Sequence, residues 1–398
     1  MPVCVGRRGA KFMASIAPMH LVDQAETTPV KFFDWAKLFA ERSPDYLRII
    51  EETALGGGFI LQSATDKLEQ KLAAYLGVKH AIGVSDCTNA MLLGLRASGI
   101  GAGDEIILPA HAFIAAAQAI HFAQAMPVPV DLLDEDGLID PHAVEEAITP
   151  RTRGILPVHV NGRTCDMDAL CAIAAEYGLE IYEDAAQALG SSLEGRPAGS
   201  FGRWGALSFY PSKTLGCFGD AGALVTNDDE LAATVRAMRN HGSGPDKTIP
   251  ENCAIWGTNA RIDNIQAAVL AYKLGWYDEV IERRRAIARL YENAFREIAA
   301  LQLPPGADAD ERHFDIFQNY EIRCDCRDEL REYLTNRRIG TIVQWGGTPL
   351  HHFRSLGFSQ CLPASDRFFE RCLLLPMNHL LSNEDVSAVI NAIVDFFE

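Results

Sequence analysis

The sequence predicts an α/β protein: a mostly parallel central sheet flanked by helices, with a smaller α+β C-terminal domain. Two observations carry this. From about residue 66, short apolar runs of strand length alternate with segments of helical apolar spacing. Short buried strands separated by helices are the pattern of a parallel sheet covered on both faces. After the turn-rich, charged stretch "LQLPPGADADERH" the pattern changes to a strand, a helix and a closing helix. The division reads as a poorly ordered lead over 1–30, a large domain over 31–280 and a small one over 281–398.

Taken in order, "DKLEQKLAAYLG" is helical, "HAIGVS" is a strand ending at a turn, and "TNAMLLGLRASG" is a helix closing on glycine. "DEIILP", "MPVPVDL", "RGILPVHV", "LEIYED", "GALSFYP" and "AGALVTN" read as further strands. "FIAAAQAIHFAQ", "DMDALCAIAAEYG" and "DELAATVRAMRNHG" read as the helices between them. The polar segment "SGPDKTIPENCAIWG" follows, then two long helices, "RIDNIQAAVLAYKLG" and "WYDEVIERRRAIARLYENAFREI". In the C-terminal part "FDIFQNYEIRC" reads as strand, "RDELREYLTNRRIG" as helix, and "SNEDVSAVINAIVDFF" as a capped closing helix.

The balance of the chain excludes several function classes. A net charge of −17 over 398 residues opposes a nucleic-acid partner, since phosphate backbones are bound by basic surfaces. It leaves room for a small anion held by local cations and backbone amides. No apolar run is long enough to span a membrane, and "MPVCVGRRGAKFMASIAPMH" is too broken for a signal peptide; Met13 is an alternative start. The ten cysteines lack zinc-ligand spacing, "RCDCRD" being C-x-C, and read as reduced cytoplasmic thiols packed as small hydrophobes.

Two charged residues close strand-like runs where an apolar one is expected: Asp184 after "LEIYE" and Lys213 after "ALSFYPS". Both emerge at the C-terminal edge of the sheet, where such folds bind ligands. Lys213 is open to three readings: a surface lysine, a phosphate ligand, or an amine that does chemistry. A Walker A loop places glycine directly before its lysine; here Pro211 and Ser212 precede it, so that form of the phosphate reading fails. Asp184 before "AAQAL" also suits a helix N-cap.

The neighbouring phrases decide between these readings. "GGGFILQS", "SDCTNAMLLGL", "GDEIILPAHAFIAAA", "HVNGRTCDMDAL", "YEDAAQALGS", "SFYPSKTLGCFGDAGALVTND", "RNHG" and "GTNARIDNIQAAVL" occur in that order. Together they resemble the DegT/DnrJ/EryC/StrS family of sugar aminotransferases, pyridoxal-phosphate (PLP) enzymes of fold-type I, from about residue 20 to the C-terminus. The resemblance implies PLP as cofactor, Lys213 as the Schiff-base lysine, and Asp184 as the carboxylate opposite the pyridine nitrogen. It implies Gln187 at the phenolic oxygen, and Cys87, Thr88 and Ser208 at the phosphate. The family usually has glycine where Cys87 stands, so that contact is expected from the backbone N–H. Phe113 corresponds to the aromatic stacked on the ring. Asn259 and Arg261 correspond to a segment reaching the neighbouring subunit's site, hence a homodimer with shared active sites. Gly58 and Phe59 correspond to the site entrance.

Where many members read "HY" before "PLH", this chain has "QWGGTPLHH". Gln344, Trp345 and the paired glycines are expected to reshape the substrate side. His159, His351 and His352 are read as packing or hydrogen-bonding residues, and no metal is expected. The implied reaction is ping-pong transfer of an amino group, from L-glutamate by family analogy, to a keto sugar, most simply a nucleotide-linked one. A cyclitol acceptor and a PLP-holding regulatory protein without turnover are the alternatives. The family's sugar dehydratases carry histidine in place of the lysine, and Lys213 opposes that assignment.

Overall fold

The computed structural model describes residues 29–243 and 253–398. Cys4, Met13 and most of the expected N-terminal lead lie outside the described residues, as do residues 244–252 of the polar segment. The central sheet has seven strands. Their order is His80–Val84, Gly222–Thr226, Trp204–Ser208, Glu180–Asp184, Thr152–Ile155, Glu105–Pro109 and Met126–Val130. Gly222–Thr226 runs antiparallel to both of its neighbours, and the remaining pairs are parallel. Six strands therefore point the same way. Val84, Asp184 and Ser208 end, and Gly222 begins, at one edge.

Alternate residues of the central strands enter different cores, as a period of two requires. Ile82, Ala206 and Leu224 face a cluster completed by the helices Cys87–Ala97, Ile114–Phe122, Met167–Tyr177 and Asp229–Met238. Ala81, Leu207, Ala223 and Val225 face the helices Ser63–Leu76 and Asn264–Lys273. Trp204, fully buried, stacks on Tyr182 at 4.9 Å between ring centres. Three of the helices just named start on an aspartate that accepts a first-turn amide: Asp86, Asp166 and Asp228.

The helix Tyr277–Phe295 passes from one core to another. Tyr277, Val280 and Ile281 pack against the sheet, whereas Ile287, Ala288, Tyr291 and Phe295 join the C-terminal cluster. That cluster rests on the antiparallel pair Tyr320–Arg323 and Cys372–Leu375 and on the helices Arg327–Asn336 and Asn383–Phe397. Ser382 and Asp385 cap the last helix reciprocally. The run expected as one strand over "FDIFQNYEIRC" is broken. His313–Phe314 pairs with Ser192–Leu193, Tyr320–Arg323 pairs with Cys372–Leu375, and Phe317 between them has φ 51°. Apolar spacing alone does not reveal that interruption.

Candidate active site

Asp184 ends its strand 5% exposed. Its Oδ1 accepts the amide of Ala186 at 3.0 Å, and its own amide and carbonyl bond Pro157 and His159. Burial raises its carboxyl above the ordinary aspartate range, against the Ala186 amide and the field of Lys213. The residue before it anchors the strand end. Glu183 Oε2 meets His159 Nε2 at 3.0 Å and accepts the Gly199 amide at 2.7 Å, while Oε1 accepts the Gly202 amide at 2.6 Å. His159 Nδ1 takes the amide of Cys165 at 3.1 Å, which fixes the ring proton on Nε2. His159 is thus a buried hydrogen-bonding residue.

Lys213 sits in a loop closed by bonds between Phe209 and Ala221 and between Cys217 and Phe209, each 2.8 Å. Its amide donates to Tyr210 O at 2.8 Å. Lys273 Nζ donates to Gly216 O at 2.5 Å, and Gln266 accepts the amide of Phe218 at 3.0 Å. Desolvation lowers the Lys213 pKa from the ordinary lysine value, opposed by the fields of Asp184 and Cys87. Burial conversely pushes the Cys87 thiol well up, keeping it protonated. Lys213 feels the fields of both Asp184 and Cys87, and Cys87 feels those of Asp184 and Lys213, so the structure brings these three together.

Cys87 opens the helix Cys87–Ala97. Asp86 caps the amide of Asn89 at 2.8 Å, and the amides of Cys87 and Thr88 are first-turn donors without an intrahelical acceptor. Ser208 pairs with Gly222 across the sheet. A Cβ on Gly222 would lie 2.4 Å from Asp86 C and 2.6 Å from Cys87 N, so only glycine lets the strand meet the helix start this closely. Ser208 is thus paired with the glycine that abuts the helix start carrying Cys87 and Thr88, and free amides at a helix start are donors suited to a phosphate. This donor set, a desolvated amine and a buried carboxylate fit PLP chemically.

Phe113 precedes the helix Ile114–Phe122, and its ring is 53% exposed. It lies 6.4 Å from the Trp345 ring, and Trp345 meets His111 edge-on at 5.0 Å. Gln187 Oε1 accepts the amide of Asn161 at 2.7 Å, leaving its NH₂ as the donor side. Asn161, at φ 59°, was not singled out from the sequence, yet it organises a buried network. Its Nδ2 donates to Glu321 Oε2 at 2.6 Å, and its Oδ1 accepts from Asn319 at 2.8 Å and Gln344 at 3.2 Å. The available signal was an Asn-Gly pair and polar residues inside an apolar run.

Glu321 and His111 lie 3.9 Å apart, both buried. Burial pushes Glu321 up to about 7 and His111 down to about 4, so near pH 6 both are largely neutral. A carboxyl with a folded pKa above its unfolded value holds its proton more tightly in the fold. Stability therefore falls as pH rises from about 4.5 to about 7. Glu321→Gln is expected to flatten that fall and stabilise the protein at pH 8 by on the order of 1–3 kcal/mol. Thermal unfolding of both proteins from pH 5 to 8 measures it; unchanged curves contradict the assignment. His111 acts in the opposite sense below pH 6.5 in both proteins, so their difference reports Glu321.

Gly58, Phe59, Asn259 and Arg261, four of the expected residues, are held by contacts of their own. Asn264 Nδ2 donates to Gly58 O at 2.7 Å, and its amide donates to Phe59 O at 2.8 Å. Ile60 bridges Asp263, Asn259 bridges Asn240, and Arg261 bridges Val84 and donates to Asn240 Oδ1 at 3.2 Å. Gly58 lines a cavity of about 850 Å³ and Arg261 another of about 990 Å³, neither lined by Lys213 or Asp184. Asn259 and half of Phe59 are exposed. Among the described residues, no hydrogen bond or ion pair joins these four to Lys213.

His351 and His352 share Asp366 Oδ1 at 2.9 and 2.7 Å. These are hydrogen bonds, and the buried Nδ1 of His351 lacks the acceptor that orients a metal-bound histidine. The nine cysteines among the described residues are unpaired thiols. No helix there is long and apolar enough to cross a membrane.

The chain is 37% identical over 372 residues to a pleiotropic regulatory protein of Geobacillus stearothermophilus, covering 92% of this chain and 98% of that one. It is 38% identical over 380 residues to the dTDP-3-amino-3,4,6-trideoxy-alpha-D-glucose transaminase of Streptomyces venezuelae, covering 94% and 98%. The crystal structure of S. venezuelae DesV in complex with a ketimine intermediate superposes with a TM-score of 0.89 at 37% identity, covering 94% of this chain and 99% of that one. The family model of the DegT/DnrJ/EryC1/StrS aminotransferases matches residues 43–394. The chain belongs to the DegT/DnrJ/EryC1/StrS aminotransferase family.

Proposed function

We propose that this protein is a PLP-dependent aminotransferase that moves an amino group from L-glutamate to a keto sugar carried on a nucleotide. The observation that carries this reading is the convergence of Lys213, Asp184 and the helix start at Cys87 on one edge of the sheet. The likeness to the S. venezuelae transaminase supports the substrate class. When bound, PLP supplies an aldehyde that joins amines and a ring that takes up electrons from the substrate carbon.

The rest is the work of the chain's own residues. With the cofactor bound, the Cys87 and Thr88 amides and the Ser208 hydroxyl would hold its phosphate. Asp184 would keep a proton on the ring nitrogen, and Phe113 would pack against the ring. The Gln187 NH₂ would donate to the phenolic oxygen. Lys213, made less basic by desolvation, offers its amine and carries the proton at the substrate carbon. Trp345, beside Phe113 and held over His111, contacts the sugar.

Gly58, Phe59, Asn259 and Arg261 serve the neighbouring subunit's site in a cytoplasmic homodimer. Gly58 and Arg261 each line a large open cavity that neither Lys213 nor Asp184 lines, which supports that assignment.

The test is a screen of keto nucleotide sugars with L-glutamate, reading 2-oxoglutarate and the amino sugar, with ping-pong kinetics expected. The Geobacillus relative's name favours a second reading, a cofactor-holding regulatory protein. Under that reading the visible absorbance of the cofactor-loaded protein stays unchanged when glutamate is added.

A further inference from the structure

Gln318 lies on the irregular stretch between His313–Phe314 and Tyr320–Arg323, far from Lys213 in sequence and 5% exposed. Its carboxamide spans the lysine. Oε1 accepts both the amide and the hydroxyl of Thr214, at 2.8 and 2.6 Å, and Nε2 donates to Ser212 O at 2.9 Å. The residues on each side of Lys213 are thus bonded to one side chain. That side chain's own backbone is fixed. Arg284, itself buried, donates through Nη1 to Phe317 O and Gln318 O, each at 3.0 Å. Ile316 donates its amide to Gly162 O at 3.0 Å. Gly162, at φ +89°, allows this approach, because a Cβ there would lie 2.6 Å from Ile316 Cγ1 and 2.8 Å from Gln318 N.

Three consecutive residues face three places. Phe317 enters the C-terminal core, Gln318 holds the lysine loop, and Asn319 donates to Asn161, whose amide holds Gln187. We infer that Gln318 is a positioning residue for Lys213, and that the 317–319 stretch sets the lysine and Gln187 in register with one another. The inference rests on the reading of Lys213 as the amine that joins the cofactor. A lysine has four side-chain torsions, and holding its backbone from both sides limits where its amine travels.

The test uses the full chain loaded with PLP, as wild type, Gln318→Met and Thr214→Val. Borohydride traps the cofactor on lysine, and mass spectrometry of peptides locates and times the label. Thermal unfolding is read in parallel. Gln318→Met keeps the volume and removes three bonds. Its trapping at Lys213 and its kcat are expected to fall at least tenfold, with the keto-sugar KM within about twofold of wild type.

Thr214→Val removes one of the bonds and leaves Gln318 in place, with an expected loss of two- to tenfold. It keeps the test open if Gln318→Met does not fold. Applied together, the two substitutions are expected to be less than additive. Wild-type trapping and kcat in a folded Gln318→Met, or in Thr214→Val, overturn the inference. So does a loss that only tracks the unfolded fraction. If wild-type protein carries no label at Lys213, it is the reading of Lys213 itself that fails, which separates the two.

Discussion

Lys213→Ala is expected to abolish measurable turnover while leaving the fold intact. The lysine lies in a loop whose shape is set by backbone bonds and by Lys273, Gln266 and Gln318, none of which uses the Lys213 side chain. Truncation removes a desolvated amine and exposes no core. The loss of proton transfer alone is worth about 10²–10⁴-fold in kcat, and the loss of covalent attachment adds to it. Lys213→Arg is expected to fare no better, because a guanidinium stays charged and cannot act as a neutral nucleophile. Circular dichroism and thermal unfolding establish the fold, and glutamate-dependent amino-sugar formation establishes the loss. Turnover within tenfold of wild type in Lys213→Ala contradicts the assignment.

Asp184→Asn is expected to have the second largest effect, with a different signature. A carboxylate about 4 Å from a ring cation stabilises it by about 4 kcal/mol at an effective dielectric near 20, roughly a thousandfold in rate if the cation forms only with the carboxylate present. The amide keeps the shape and can still accept the Ala186 amide that now holds Asp184, so cofactor loading should persist while kcat falls. The carboxyl's raised pKa in the chain is caused by burial, and a cation placed opposite it is expected to bring it down again. Stability of the unloaded chain at neutral pH is expected to rise slightly in Asp184→Asn, since the buried acid no longer needs to ionise. A variant that loses cofactor and fold together would instead assign Asp184 a structural role, as a strand-end anchor.

The alternation of strands and helices was legible because the central strands are largely buried on both faces and therefore mostly apolar. Direction was not: "AGALVTN" has the same apolar character as its parallel neighbours, yet Gly222–Thr226 runs the other way. Asp184 and Lys213 stood out because a charge at the end of a buried strand has few structural explanations. Gln318 and Asn319 were hidden inside a run that reads as one strand. Their partners lie 104 to 158 residues away, at Thr214, Ser212 and Asn161. Asn161 and Glu321 were missed for the same reason, since a polar residue's meaning depends on a partner that chain order does not reveal. The "QWGG" departure was legible as an oddity. Its consequence, Trp345 at φ 47° packed beside His111 and Phe113, needed the fold.

The most direct test of the account is the site of covalent cofactor attachment. The purified protein is loaded with PLP, reduced with borohydride, digested and mapped by mass spectrometry. A single modified peptide carrying the label at Lys213 is the expected result. Lys273, buried nearby with its pKa pulled down to about 8 by desolvation, is the natural competitor. Label on Lys273, or on no lysine of the 208–222 loop, contradicts the account.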